Sequence, residues 1–171
     1  MRMILLAALA TLLGGALPGH AAELAEPRAL KLVCVDASGA SRTSPLPRAG
    51  EMCAPEGVHV PKGWTWVAGA PGMNIYLHSA LGTPPPGLVK VWVLYSFDAP
   101  KLDAGKEHRS AKTLDFYSCG NGTYGVSTTI KYAQPYGEGE VVESTQVDVP
   151  RQLEIPPDTA AAWVWKAVCA R

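Results

Sequence analysis

The chain has 171 residues, 15 basic and 15 acidic side chains, no formal net charge, and 47% apolar residues. A near-neutral chain lacks the basic footprint of a nucleic-acid binder, and that apolar fraction excludes wholesale disorder. Fifteen prolines and seventeen glycines imply short elements separated by many turns, at the scale of one domain with its own core.

Residues 1–22 open with Arg2, run apolar from Met3 to Leu17 and end in Gly19-His20-Ala21-Ala22, the order of a secretory signal cleaved after Ala21 or Ala22. The apolar stretch is too short and glycine-rich for a transmembrane helix, so no stable membrane anchor is expected after cleavage. No cysteine stands at the cleavage site to carry a lipid. Residues 23–30 read as a disordered leader. All four cysteines, Cys34, Cys53, Cys119 and Cys169, then fall in the exported part. An even count in an oxidising compartment implies two disulfides, and four cysteines allow three pairings. Sequence proximity and element placement favour Cys34 with Cys53 and Cys119 with Cys169. Zinc is excluded by spacing, since no two cysteines lie two to four residues apart.

Residues 31–53 read as a small hairpin, Lys31 to Asp36 and Ala40 to Ser44 about a Ser38-Gly39 turn, closed by its disulfide. Residues 54–63, with Pro55, Gly57, Pro61 and Gly63, read as a linker to a main domain at 64–171. Trp64 to Gly69 and Met73 to His78 are strands across Gly69-Ala70-Pro71-Gly72. Leu88 to Phe97 is the strongest strand: Val89, Val91, Val93, Tyr95 and Phe97 share an apolar face, and Leu88, Lys90, Trp92, Leu94 and Ser96 share a mixed one. Asp98 to Ser110 reads as a long exposed connection; Lys101, Lys106, His108, Arg109 and Lys112 suggest a grip on an acidic partner, but Asp98, Asp103 and Glu107 interleave with them and favour a solvated loop.

Lys112 to Cys119 and Thr123 to Ala133 form a hairpin about Asn121-Gly122. The spacing Gly120-Asn121-Gly122-Thr123-Tyr124-Gly125 imitates a dinucleotide fingerprint, but the strand-favouring Val126 to Ile130 follows where a helix is required. Asn121-Gly122-Thr123 also matches a glycosylation sequon, which the tight turn explains without sugar. Glu140 to Val149 is a further strand and Pro150 to Pro157 a connection. Asp158 then caps a terminal helix whose apolar stripe, Ala161, Ala162, Trp165, Val168 and Cys169, is expected on the sheet with Lys166 outside.

No catalytic motif accompanies these elements: there is no nucleophile elbow, and His59, His78 and His108 read as satisfied surface or loop residues. No cofactor is expected. The tryptophans Trp64, Trp66, Trp92, Trp163 and Trp165 suggest either a ligand-stacking platform or, the favoured reading, filling between helix and sheet.

Trp64 to Cys169 resembles the surface-adhesin protein E-like domain of bacterial envelope proteins. The resemblance is carried by Val89-Lys90-Val91-Trp92-Val93-Leu94-Tyr95, Arg109-Ser110-Ala111-Lys112, Leu114 through Phe116 to Cys119, Tyr124, Ser127 and Trp165-Lys166-Ala167-Val168-Cys169. It implies an α+β fold: a single antiparallel sheet with the C-terminal helix packed on one face, fastened by Cys119 and Cys169. It also implies a non-catalytic protein-binding module whose partner is an extracellular-matrix or envelope component, and a homodimer through the sheet. The alternative is a structural or stress-related periplasmic scaffold without adhesin activity. Lys31 to Cys53 is similar, through Cys34-Val35-Asp36, Gly39 and Cys53, to a small exported domain of unknown function. The expected location is periplasmic or secreted, with contact to a partner through the uncovered sheet face or the Asp98 to Lys112 segment.

Overall fold

The computed structural model describes residues 31–36, 38, 40–44, 52–78 and 87–169. The expected signal and leader, and the proline-rich stretches at 45–51 and 79–86, lie outside the described residues. The first strands are β1 (Leu32–Val35), β2 (Ser41–Ser44) and β3 (Met52–Pro55). They form one sheet in the order β2-β1-β3. The Asp36 carboxylate accepts from the backbone N–H groups of Ser38 and Ala40 at 2.8 and 3.0 Å, which turns the chain from β1 into β2.

This unit exceeds the expected hairpin, because β3 adds to the other edge of β1 and claims Ala54 and Pro55 from the expected linker. Cys34 stands directly opposite Cys53 in that ladder and is bonded to it, with the Cα atoms 4.0 Å apart. Pro55 ends the strand, where its missing N–H costs no interior ladder bond.

The second sheet comprises β4 (Trp64–Ala70), β5 (Met73–His78), β6 (Leu88–Asp103), β7 (Lys106–Ser118), β8 (Thr123–Tyr132), β9 (Val141–Gln146) and β10 (Leu153–Glu154). Its order is β10-β8-β7-β6-β5-β4, with β9 also on β8, and every pairing is antiparallel. The architecture therefore has two sheets, of three and seven strands, where a single sheet was expected. The short β10 interrupts the expected 150–157 connection.

The expected connection from Asp98 to Ser110 is the largest departure. There β6 and β7 continue as a two-stranded arm in which Lys101 faces His108 and Asp103 faces Lys106. Ala104 and Gly105 close it with φ of 48° and 79°, the two-residue turn that matches strand twist. Pro100 and the charged Asp98, Lys101, Asp103, Lys106, Glu107 and Arg109 hide this ribbon from an alternation test, and alanine is not a usual first residue of such a turn.

Helix α1 (Ala160–Cys169) crosses the face that carries Ile75, Leu77, Val91, Val93 and Tyr117. Val164 and Val168 complete that core. The expected stripe is thus shifted: Val164 is buried at its centre, and Trp165 lies half-buried at its flank with the indole N–H unpaired. The cap is Thr159, whose hydroxyl accepts from the Ala162 N–H at 3.3 Å. Asp158 has a left-handed φ of 57° and turns the chain one residue before the helix. Cys169 is bonded to Cys119 at the end of β7, which ties the last helical turn to the sheet.

Candidate functional site

Side-chain parity divides the large sheet. The odd positions of β6 and β7 meet the helix, so Lys90, Trp92, Leu94 and Ser96 of β6 share the opposite face with Ser110, Lys112, Leu114 and Phe116 of β7. In β4, β5 and β8 the aligned positions place Trp64, Trp66, Tyr76, His78, Ile130 and Tyr132 there as well. Trp64, Trp66 and Trp92 consequently do not fill the space between helix and sheet. Trp163 and Trp165 alone among the five tryptophans do so.

Part of this second face is covered by the chain itself. A short 3-10 turn, Pro135–Gly137, lies over it between β8 and β9. The Ser110 hydroxyl donates to the Gln134 carbonyl at 2.5 Å and accepts from the Gly137 N–H at 2.8 Å. The Tyr136 N–H reaches the Ser96 hydroxyl at 3.3 Å, and the Lys112 ammonium donates to the Gly137 carbonyl at 3.2 Å. Tyr136 meets the edge of Tyr76 and of His59 with centroids 6.3 and 4.6 Å apart. The Tyr76 hydroxyl donates to the His59 carbonyl at 2.9 Å, so residues leading out of the small sheet also close on this face. Burial pushes the Tyr76 phenol up, with Tyr136 and Asp98 adding to the effect, so it stays a donor.

Beside that cover a concavity of about 310 Å³ remains open, lined by Trp64, His78, Trp92, Lys112, Ile130 and Tyr132. The Lys112 ammonium stands 4.7 Å from the Tyr132 centroid and 5.9 Å from that of Trp64, while Lys90 lies 5.5 Å over Phe116. Trp64 meets His78 edge-on at 5.1 Å. Such cation and ring pairs hold the aliphatic stem along apolar surface and leave a charged head at the wall.

The four lysine and arginine side chains expected to bind a partner do not converge. Lys101 and Lys106 stand exposed on the arm, Lys101 with its ammonium 5.6 Å over Phe97. Arg109 folds back to donate to the Asp98 carbonyl at 2.9 Å, bracing the base of the arm. Lys112 belongs to the aromatic concavity. The arm is joined to the sheet by Lys131, whose ammonium bridges Asp103 and Glu143, the latter at 2.6 Å. Hydrogen bonding and charge from Lys131 hold both carboxyls below the usual carboxylate range.

The three histidines do not assemble. His59 packs on Tyr136, His78 on Trp64, and buried His108 on Phe97 with its Nδ1 unpaired. Among the described residues no cluster of histidine, cysteine and carboxylate side chains fits a metal ion. The Gly120 to Gly125 segment turns between β7 and β8, with the Gly122 N–H on the Ser118 carbonyl at 3.0 Å, and opens no helix. The Gln134 to Gly137 cover and the place of Tyr132 in the concavity depend on contacts distant in the chain. The available signal was parity: Lys90 and Trp92 share a register whose partners in β7 are also even-numbered.

The sequence pattern of the family described as surface-adhesin protein E matches residues 64–170. A solved structure of protein E from non-typeable Haemophilus influenzae is similar at 19% identity, with a TM-score of 0.51 over 66% of this chain and 78% of that one. Its selenomethionine form is similar at 18% identity, again with a TM-score of 0.51, over 66% of this chain and 90% of that one. At these identities the likeness concerns the fold. A search of curated proteins returns no match. Among the described residues, no helix is long and apolar enough to cross a membrane.

Proposed function

Because the chain belongs to the surface-adhesin protein E family, we propose that it is an exported envelope protein that acts by binding another protein and not by catalysis. The observation that carries this reading is the β6 and β7 arm. Residues 98–107 are all exposed, and Leu102 presents 75% of its surface to solvent, beside Lys101 in β6 and opposite Glu107 in β7. An apolar side chain flanked by charges on a paired, pinned ribbon is a contact surface with little ordering entropy left to lose. The arm carries both signs of charge, Lys101 and Lys106 with Asp98, Asp103 and Glu107, and its partner is a protein surface of the extracellular matrix or of the envelope. Folding of both cross-links requires an oxidising compartment, in keeping with export.

The test is binding to immobilised matrix and envelope proteins by the wild type and by a Lys101→Glu, Lys106→Glu, Leu102→Asp variant. Loss of capture in the variant, with unchanged melting, is the expected result. Equal capture by both would reject the arm. Fractionation of the cell locates the protein independently, and its recovery from the cytoplasm would reject the exported reading.

A further inference from the structure

We propose that the concavity walled by Trp64, Trp92, Tyr132 and Lys112 binds an acidic polysaccharide, seating one carboxylated sugar of the chain. The site is distinct from the arm and uses a different chemistry. Three aromatic side chains and Ile130 line a space of about 310 Å³, the lower end of the range for small-ligand sites and enough for about one sugar unit with its neighbours outside. Indole and phenol faces attract the weakly positive C–H face of a pyranose, while its hydroxyls stay in water.

Charge selects the acidic member of that class. Lys112 enters the wall as an ammonium with three donors, one of which is used on the Gly137 carbonyl. Among the described residues no ion pair involves it. On this face of β4 to β8, from Leu88 to Ser96 in β6 and from Ser110 to Ser118 in β7, no strand position is acidic, and Lys90 and Lys112 are the basic ones. Around the concavity the strand positions are therefore basic, while Asp98, whose charge reaches Tyr76, and Glu138, which ends the covering turn, are the carboxylates beyond them. Asp115 points to the helix side, and Glu143 lies beside Lys131 on the same side. The concavity is open rather than enclosed, which suits a unit within a longer chain. The Pro135–Gly137 turn holds Lys112 in place through the Gly137 carbonyl, so the cation is positioned before any ligand arrives.

The test titrates the full exported chain with a hyaluronan tetrasaccharide, with the neutral chitotetraose and with free glucuronate, read by tryptophan fluorescence and calorimetry. Saturable binding of the hyaluronan tetrasaccharide at least tenfold tighter than of either other sugar is expected, weakening as salt rises. Lys112→Met, which keeps the stem over Tyr132, should lose at least tenfold for the acidic chain. Trp92→Leu provides a second, uncharged perturbation with the same expectation, and both variants are checked by melting. Lys101→Ala with Lys106→Ala should bind as the wild type does. Equal affinity for chitotetraose or for glucuronate, hyaluronan binding unchanged in folded Lys112→Met or Trp92→Leu, or no saturable binding at millimolar sugar would each overturn the proposal. Since the arm variants are separate, failure here leaves the arm's protein binding to stand or fall by its own assay.

Discussion

Gly137 shows how tightly one residue ties the cover to the site. It has a left-handed φ of 73°, and a Cβ built there would lie 2.1 Å from the Lys112 Cε. Alanine at this position pays the left-handed strain of about 1 to 2 kcal/mol and must also displace Lys112 from Tyr132. Gly137→Ala is therefore expected to lower stability by at least that amount in denaturant titration, and to change the tryptophan emission of the concavity. An unchanged emission would show that Lys112 is not held there. Asp115 lies on the helix side, 1% exposed, accepting from the Tyr117 hydroxyl at 3.1 Å with one carboxyl oxygen. Burial raises its pKa to about 6, with the Thr113 and Tyr117 hydroxyls acting in the opposite direction. A carboxyl whose pKa is higher folded than unfolded makes the folded state bind the extra proton. Its contribution to stability falls as pH rises from about 4 to about 6, and the whole cost, on the order of 3 kcal/mol, is present above that window. Asp115→Asn keeps an acceptor for Tyr117 without the charge. The variant should be more stable than the wild type at pH 7.5, with the gain shrinking toward pH 4; a gain independent of pH would refute ionisation of Asp115 in the fold.

At the scale of elements, the helix depends on its cap and its cross-link more than on its length of ten residues, which is marginal for a free helix. Thr159→Ala removes the acceptor of the Ala162 N–H and should cost about 1 kcal/mol, read by chemical denaturation. Serine at both Cys119 and Cys169 should cost about 4 kcal/mol, because the bond closes a segment with a sequence separation of 50. The helix and the main strands were legible in the sequence because their signals are local: Pro156-Pro157 before an alanine run, alternation in Leu88 to Phe97, Asn-Gly at the β7 to β8 turn. What hid was set by partners distant in the chain. Nothing local distinguishes Val164 from Trp165 as the residue at the centre of the core; the approach of the helix to Val91 and Val93 decides it. Likewise the arm is held by backbone pairing that its charged side chains do not advertise, and Met52–Pro55 becomes a strand because β1 offers a free edge. The aromatic concavity was half legible, since the mixed face of β6 was visible while its company of Trp64 and Tyr132 depends on register.

Across the whole molecule, one cross-link lies within the small sheet and the other ties the helix to the end of β7, and neither joins the two sheets. Replacing Cys34 and Cys53 by serine should therefore loosen the small sheet, by about 3 kcal/mol for a closed loop of this size, while amide exchange protection in β5 to β8 stays as it was. A parallel loss of protection in both sheets would show that they unfold as one unit. The contact of the Tyr76 hydroxyl with the His59 carbonyl is then a seam and not a staple. The Cys119 to Cys169 bond has a mechanical consequence as well. Tension applied near the C-terminus passes from Cys169 directly into the end of β7, so β8, β9, β10 and the helix are bypassed by the pulling path. Stretching the oxidised protein between its ends should release a contour length shorter by about 17 nm than the reduced protein, the extended reach of the sequence separation of 50 that the bond shorts out. For as long as that one covalent bridge stays closed, the segment between Cys119 and Cys169 cannot be drawn out by tension at the ends.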